Sequence, residues 1–122
     1  MDDGMSQHAV YIVDGGRTPF IKAQGQRGPF SASDLAVKAG EDVLLRHQLN
    51  PTDLDEVVLG CMMPSEDEAN IGRIVALRLG CGDAVPGWTV QRNCASAMQA
   101  LDSAAKDIML GRADLVLAGG TE

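Results

Sequence analysis

The segment Pro86-Gly-Trp-Thr-Val-Gln-Arg-Asn-Cys94-Ala-Ser-Ala-Met-Gln-Ala-Leu101 joins two kinds of pattern. Trp88 and Val90 alternate with Thr89 and Gln91, as in a short strand, and the small residues after Cys94 begin a helix that continues to Gly111. Cys94 therefore falls on the turn between a strand and a helix. Asn93 is a candidate cap for the first helical turn, whose free N–H groups and positive dipole end favour a thiolate over a thiol. The thiolate is the nucleophilic form of cysteine, which makes Cys94 the candidate nucleophile. A buried, unreactive thiol is the competing reading, because free cysteine is among the most buried residue types.

Beyond this segment, Ala97, Leu101, Ala104, Ala105 and Ile108 form an apolar helical face. The small residues of the first turn and a half predict a buried helix start and a more exposed end. Gly111 stops the helix, Asp114–Ala118 reads as a further strand, and Gly119-Gly120 ends it. Upstream, Ala9–Val13 is a β-rich run closed by Asp14-Gly15-Gly16, which predicts a first strand. A long loop follows, containing Arg17-Thr-Pro-Phe20, Lys22, Gly25, Gly28 and Pro29. Loop arginines usually pair structurally, so a salt bridge holding the loop is the first expectation for Arg17, with anion binding as the alternative.

Ser31 or Ser33 can cap a helix running to His47, with Leu35, Ala36, Ala39, Val43 and Leu44 at helical spacing. Val57–Cys61 is a short continuous apolar run, typical of a strand covered on both faces. The acidic tip Ser65–Glu68 reads as a solvated loop. Asn70 can cap a helix that turns Ile71, Ile74, Val75 and Leu77 to the core and stops at Gly80, leaving Cys81 a structural role. The predicted order is β-α-β-α-β-α-β. The fold class is therefore α/β, a parallel or mixed sheet with helices on both faces, with residues 1–8 as a flexible tail and 9–122 as one incomplete domain. Cys94, Gly119, Gly120, Cys61 and Arg17 all fall at the carboxyl edge of such a sheet, where working groups gather.

Composition narrows the function classes. Lys plus Arg number 10 against 17 Asp plus Glu, a net charge of −7, with no basic run to follow a phosphate backbone. Nucleic acid is therefore not expected as a partner. The 3 cysteines, Cys61, Cys81 and Cys94, fit neither a disulfide framework nor paired zinc ligands, and a reducing cytoplasm suits them. No metal site and no bound cofactor is expected. No apolar run approaches membrane-spanning length. A cysteine used for acyl transfer needs a base, an acid and oxyanion donors. His8 and His47, the 2 histidines, both fall at the opposite edge of the sheet. The sheet also ends at Thr121-Glu122 without a covering element, so a fragment of a larger enzyme, catalytically incompetent alone, is the expectation.

Arg17-Thr-Pro-Phe20, Leu54-Asp-Glu-Val-Val-Leu-Gly60, Asn93-Cys94-Ala-Ser96 and Leu117-Ala-Gly-Gly-Thr-Glu122 occur in the order found in thiolases. From about Ala9 to Glu122 the chain resembles the amino-terminal portion of an acetyl-CoA acyltransferase or 3-ketoacyl-CoA thiolase. The resemblance implies that Cys94 takes the acyl group from a 3-ketoacyl-CoA and passes it to coenzyme A, or holds the acetyl group that a second acetyl-CoA attacks. It also implies an oxyanion-hole role for the Cys94 N–H. Coenzyme A and acyl-CoA would be substrates, and the whole protein a homodimer or tetramer, or a complex with a hydratase-dehydrogenase subunit. Ala97 stands where many members have glycine, which keeps the helix start small. Glu68-Ala-Asn-Ile-Gly-Arg73 together with Arg-Thr-Pro-Phe is similar to the β-subunits of fatty-acid oxidation complexes, which points to β-oxidation. The family's histidine base, second cysteine and most coenzyme A contacts have no counterpart in these residues.

Two rivals remain. A ketoacyl-synthase-type condensing enzyme shares the fold and the cysteine at this elbow, although Gln91-Arg-Asn before Cys94 favours the thiolase side. A non-catalytic dimerisation module would pair through the Trp88 strand and gives Cys94 no reason to outreact Cys61 or Cys81. A redox-sensing role lacks a resolving cysteine nearby in sequence.

Overall fold

The computed structural model describes residues 7–122, so most of the tail expected over residues 1–8 lies outside the described residues. Helix α1 spans Ala32–Arg46, followed by strand β1 at Glu56–Gly60, helix α2 at Ile71–Leu79, strand β2 at Gly87–Val90, helix α3 at Ser96–Met109 and strand β3 at Val116–Gly120. The strands form one parallel sheet in the order β2-β1-β3, with Val58 opposite Trp88 on one side and Ala118 on the other.

Strand β1 is central because its sequence permits burial on both faces. Val57, Val58 and Leu59 are all buried, as the unbroken apolar run predicts. Alternation sends Val57, Leu59 and Cys61 into a core shared with Val37 and Leu44 of α1 and Ile71, Val75 and Leu79 of α2. Gly60, one step out of phase, meets α3 on the other face. A Cβ there would run into the backbone of Ser96, so this crossing exists only because the residue is glycine. The α2 face has its own close crossing. A Cβ on Gly87 would lie 2.6 Å from the Gly72 carbonyl oxygen.

The helix ends use local chemistry. Ser31 and Asp34 form a reciprocal capping box on α1, and Gly80 closes α2 at a φ of 89°. The Asn70 side chain does not cap α2 as expected. The Thr89 hydroxyl receives the Gly72 N–H at 2.9 Å and donates to Asn70 Oδ1 at 2.8 Å, so the cap comes from β2. The buried side of α1 is Ser33, Val37, Gly40 and Leu44, while Leu35, Ala36 and Ala39 are only half-buried.

The first strand expected at Ala9–Val13 does not form. These residues join no ladder, and Tyr11, Ile12 and Val13 are exposed. The outer edges of β2 and β3 carry no strand among the described residues, and residues 9–13 pair with neither. The segment is held instead at its ends, with the His8 N–H donating to Met109 O and Arg46 donating to Gly15 O. β-rich composition alone does not make a strand, because β propensity reports side-chain packing on a half-buried surface, which these exposed residues lack.

Two tests follow from this packing. Gly60→Ala should cost about 1–3 kcal/mol in urea unfolding, as forced overpacking does. Gly119→Ala, whose nearest neighbour would be Leu59 Cδ2 at 3.9 Å, should shift the midpoint much less, and equal shifts would contradict the close crossing. Separately, the Asp55 carboxylate accepts the N–H groups of Asp114 at 2.8 Å and Leu115 at 3.0 Å, which hold it below its ordinary value of 3.8. A lowered carboxylate adds stability that is present above its unfolded value and lost as pH falls through the folded one. Asp55→Asn should therefore lower the unfolding midpoint at neutral pH and flatten its decline below about pH 4.

Candidate active site

Strand β2 ends at Val90, and a turn through residues 91–95 leads into α3. Asn93 takes a left-handed φ of 50°, one of 2 non-glycine residues with positive φ among the described residues. Such a conformation suits asparagine better than most residues. The turn is tied on its inner side. The buried Ser96 hydroxyl receives the Arg92 N–H at 2.8 Å and donates to Asn93 O at 2.6 Å. The N–H groups of Ala95 and Ser96 donate to Arg92 O and Asn93 O at 3.0 and 3.1 Å. With the inside fixed, Cys94 is exposed at the apex.

This geometry corrects two expectations. Asn93 does not cap the helix with its side chain; α3 begins at Ser96 behind Ala95, and Ser96 does the stapling. Nor is the helix start buried all round. Ser96, Ala100 and Ala104 form a narrow buried stripe, whereas Ala97, Met98 and Leu101 are exposed. Only the stripe that touches β1 and β3 is covered, since no described element packs over the outer face.

Cys94 opens on a cleft of about 940 Å³ between the carboxyl edge of the sheet and the loop 16–30. Gly60, Gly120 and Ala97 form its floor beside Cys94, while Leu35, Ala36 and Ala39 of α1 close one wall. A Cβ on Gly120 would come within 2.5 Å of the Ala97 Cβ, so floor and helix meet without a side chain between them. Of the edge residues expected together, Cys94, Gly120 and Arg17 line this cleft, and Gly119 and Cys61 do not. Arg17 makes none of the salt bridges found among the described residues. Its guanidinium lies 4.9 Å from the centroid of the Phe20 ring and donates to Thr18 O at 3.1 Å, so no structural ion pair holds it.

The other thiols differ in kind. Cys61 and Cys81 are each 1% exposed. Burial pushes both thiols above their ordinary value of 9.0, and the Glu122 carboxylate raises Cys61 further. Glu122 also accepts the N–H groups of Met62 at 3.0 Å and Met63 at 3.1 Å, which fastens the loop after β1 to the end of the chain. Residue spacing does not foretell that link, because its partners are about sixty positions apart in sequence. His47 is engaged with Asp14 at 2.6 Å, and neither His8 nor His47 lines the cleft. Among the described residues no cluster of His, Cys, Asp and Glu is arranged to hold a metal ion, and no helix is long and apolar enough to cross a membrane.

Residues 10–122 match the family described as thiolase, N-terminal domain. The chain belongs to the thiolase family. The β-ketoadipyl-CoA thiolase of Pseudomonas knackmussii is 42% identical over 115 residues, which are 93% of this chain and 29% of that protein. Acetyl-CoA acetyltransferase IA of Candida tropicalis is 37% identical over 123 residues, covering 97% and 30% respectively. The crystal structure of the Bacillus anthracis acetyl-CoA acetyltransferase superposes with a TM-score of 0.85 at 38% identity, over 96% of this chain and 30% of that one. This thiolase domain thus spans about 30% of the length of the relatives it matches. The parallel sheet with helices on both faces is their fold, and the thiolase reading displaces the ketoacyl-synthase alternative.

The contrast among the thiols is directly measurable. Iodoacetamide at neutral pH should alkylate Cys94 of the native chain at least tenfold faster than Cys61 or Cys81, as burial and raised thiol pKa values slow the latter two. In denaturant the three rates should converge. Equal native rates would contradict the exposed elbow.

Proposed function

We propose that Cys94 is the nucleophile of a thiolase-type acyl transfer. Its thiolate adds to the 3-keto carbonyl of a 3-ketoacyl-CoA, the C2–C3 bond breaks, and acetyl-CoA departs after its enolate is protonated. The acyl group left on sulfur then passes to the thiolate of coenzyme A, which regenerates Cys94. The reverse sequence is a Claisen condensation. The carrying observation is that, of three free cysteines, only Cys94 is exposed, and it stands on a strand-to-helix elbow at a cleft.

The acid and base of the full cycle belong, on this reading, to a protein of the length of the relatives, since neither histidine lines the cleft. Relatives named for β-ketoadipyl-CoA and for acetyl-CoA represent two acyl classes that the same step serves. A degradative role in β-oxidation is favoured by the Glu68–Arg73 and Arg17–Phe20 elements. A homo-oligomer fits the outer edge of β2, which has no strand beside it among the described residues. Three free cysteines suit a reducing cytoplasm.

The test is incubation of the chain with acetyl-CoA followed by peptide mapping. Acetyl should appear on Cys94 in the native state, faster than on Cys94 in denaturant, and not on Cys61 or Cys81. Cys94→Ala should abolish it. Acylation that is equal in native and denatured chains would refute the proposal, as would none at a Cys94 that still reacts with iodoacetamide.

A further inference from the structure

The carbonyl of Asn93 is turned inward at the elbow. It receives the Ser96 hydroxyl at 2.6 Å and the Ser96 N–H at 3.1 Å, so a single residue holds it with two donors. The hydroxyl is itself fixed, because it accepts the Arg92 N–H at 2.8 Å and Ser96 is only 4% exposed. A trans peptide is planar and carries its C=O and N–H on opposite sides. No peptide bond among the described residues is cis, so a carbonyl pinned toward α3 sends the N–H of the same peptide, that of Cys94, away from the helix. No backbone carbonyl among the described residues receives this N–H. It faces the exposed side of the turn, where the Cys94 side chain also opens.

When a thiolate adds to an acyl carbonyl, the carbonyl oxygen takes up negative charge as the new C–S bond forms. A donor already aimed at that oxygen stabilises it without reorganisation, whereas one that must first be turned into place gives up part of the gain. We infer that Ser96 is a positioning residue for acyl transfer to Cys94: its buried hydroxyl fixes the 93–94 peptide so that the Cys94 N–H meets the oxyanion formed at the carbonyl under attack. The hydroxyl acts through the peptide plane and not on the substrate. Serine suits the position because one side chain must accept from Arg92 and donate to Asn93, which threonine can also do and alanine cannot. The orientation stands on these hydrogen bonds, while the step it serves rests on the proposed function.

The test compares two reactions of Cys94 that differ in whether an oxyanion forms. With p-nitrophenyl acetate, the thiolate adds to the ester carbonyl, the oxyanion collapses, the C–O bond breaks and p-nitrophenolate leaves. With iodoacetamide, the thiolate displaces iodide at a saturated carbon and no oxyanion arises. Both rates are read at Cys94 by peptide mapping, in the native chain and in denaturant. The native ratio of acetylation to alkylation should exceed the denatured ratio by about tenfold, less than a full oxyanion donor supplies because a small free ester is not held against it. Ser96→Ala should return the ratio to the denatured value while alkylation of Cys94 changes by less than about twofold, and Ser96→Thr should keep the ratio high. A native ratio no higher than the denatured one overturns the inference and needs no variant to fold. An unchanged ratio in Ser96→Ala, or a low one in Ser96→Thr, also overturns it. A Ser96→Ala chain in which both reactions fall together, or in which Cys61 and Cys81 lose their protection, would assign the hydroxyl to folding alone and overturn it too. A raised ratio in a native chain that acetyl-CoA does not acetylate would uphold the positioning by Ser96 and refute acyl transfer from coenzyme A thioesters.

Discussion

The site depends on a backbone contact that no side chain interrupts. Strands β1 and β3 end in Gly60 and Gly120, paired in register, and both lie directly beneath Ser96 and Ala97 at the start of α3. Because the strand ends leave no room for a Cβ, the helix can begin only at this height above the sheet, and the turn before it must rise to the carboxyl edge. The buried Ser96 hydroxyl then bridges the Arg92 N–H and the Asn93 carbonyl, converting the close approach into a fixed turn. Gly72 and Gly87 do the same for α2 on the opposite face, and Thr89 completes that helix end from the neighbouring strand. Small residues thus bring the layers close enough for backbone polar groups to satisfy one another.

Exposure of the thiols divides along the same line. Cys61 continues the central strand into the core and Cys81 follows the glycine stop of α2, so both inherit the burial of their elements. Cys94 belongs to the elbow and is exposed because the inner side of the turn is already occupied by Ser96. The loop 16–30 gives the cleft its second wall and its positive charge. It does so without the ion pair that would ordinarily hold an arginine such as Arg17, whose contacts are its own neighbours Thr18 and Phe20.

Where sequence patterns were enforced by burial, they were legible. The run Val57–Cys61 announced a strand covered on both faces, the glycine after Leu79 marked a left-handed helix end, and the change of period around Cys94 located the elbow. Where the outcome depended on a partner distant in sequence, the pattern misled or fell silent. Residues 9–13 have strand composition, yet they pair with none of the three strands and their side chains stay exposed. Asn70 and Asn93 read as caps, yet the Thr89 hydroxyl caps α2 from a strand 17 residues further on, and no side chain caps α3, where the Ser96 hydroxyl ties the preceding turn instead. The small residues opening α3 suggested complete burial, but they are small because one stripe must touch Gly60 and Gly120, and the remaining face is open.

The most direct test of this account is residue-resolved hydrogen exchange of the elbow amides. If the glycine-mediated approach makes the turn part of the core, the amides of Arg92, Ala95 and Ser96 should exchange as slowly as those of Val57 and Cys61 in β1 and its extension, even though Cys94 beside them is exposed. Exchange at these three amides as fast as in the loop 16–30, while β1 stays protected, would show that the elbow is not held by the sheet and would contradict the account.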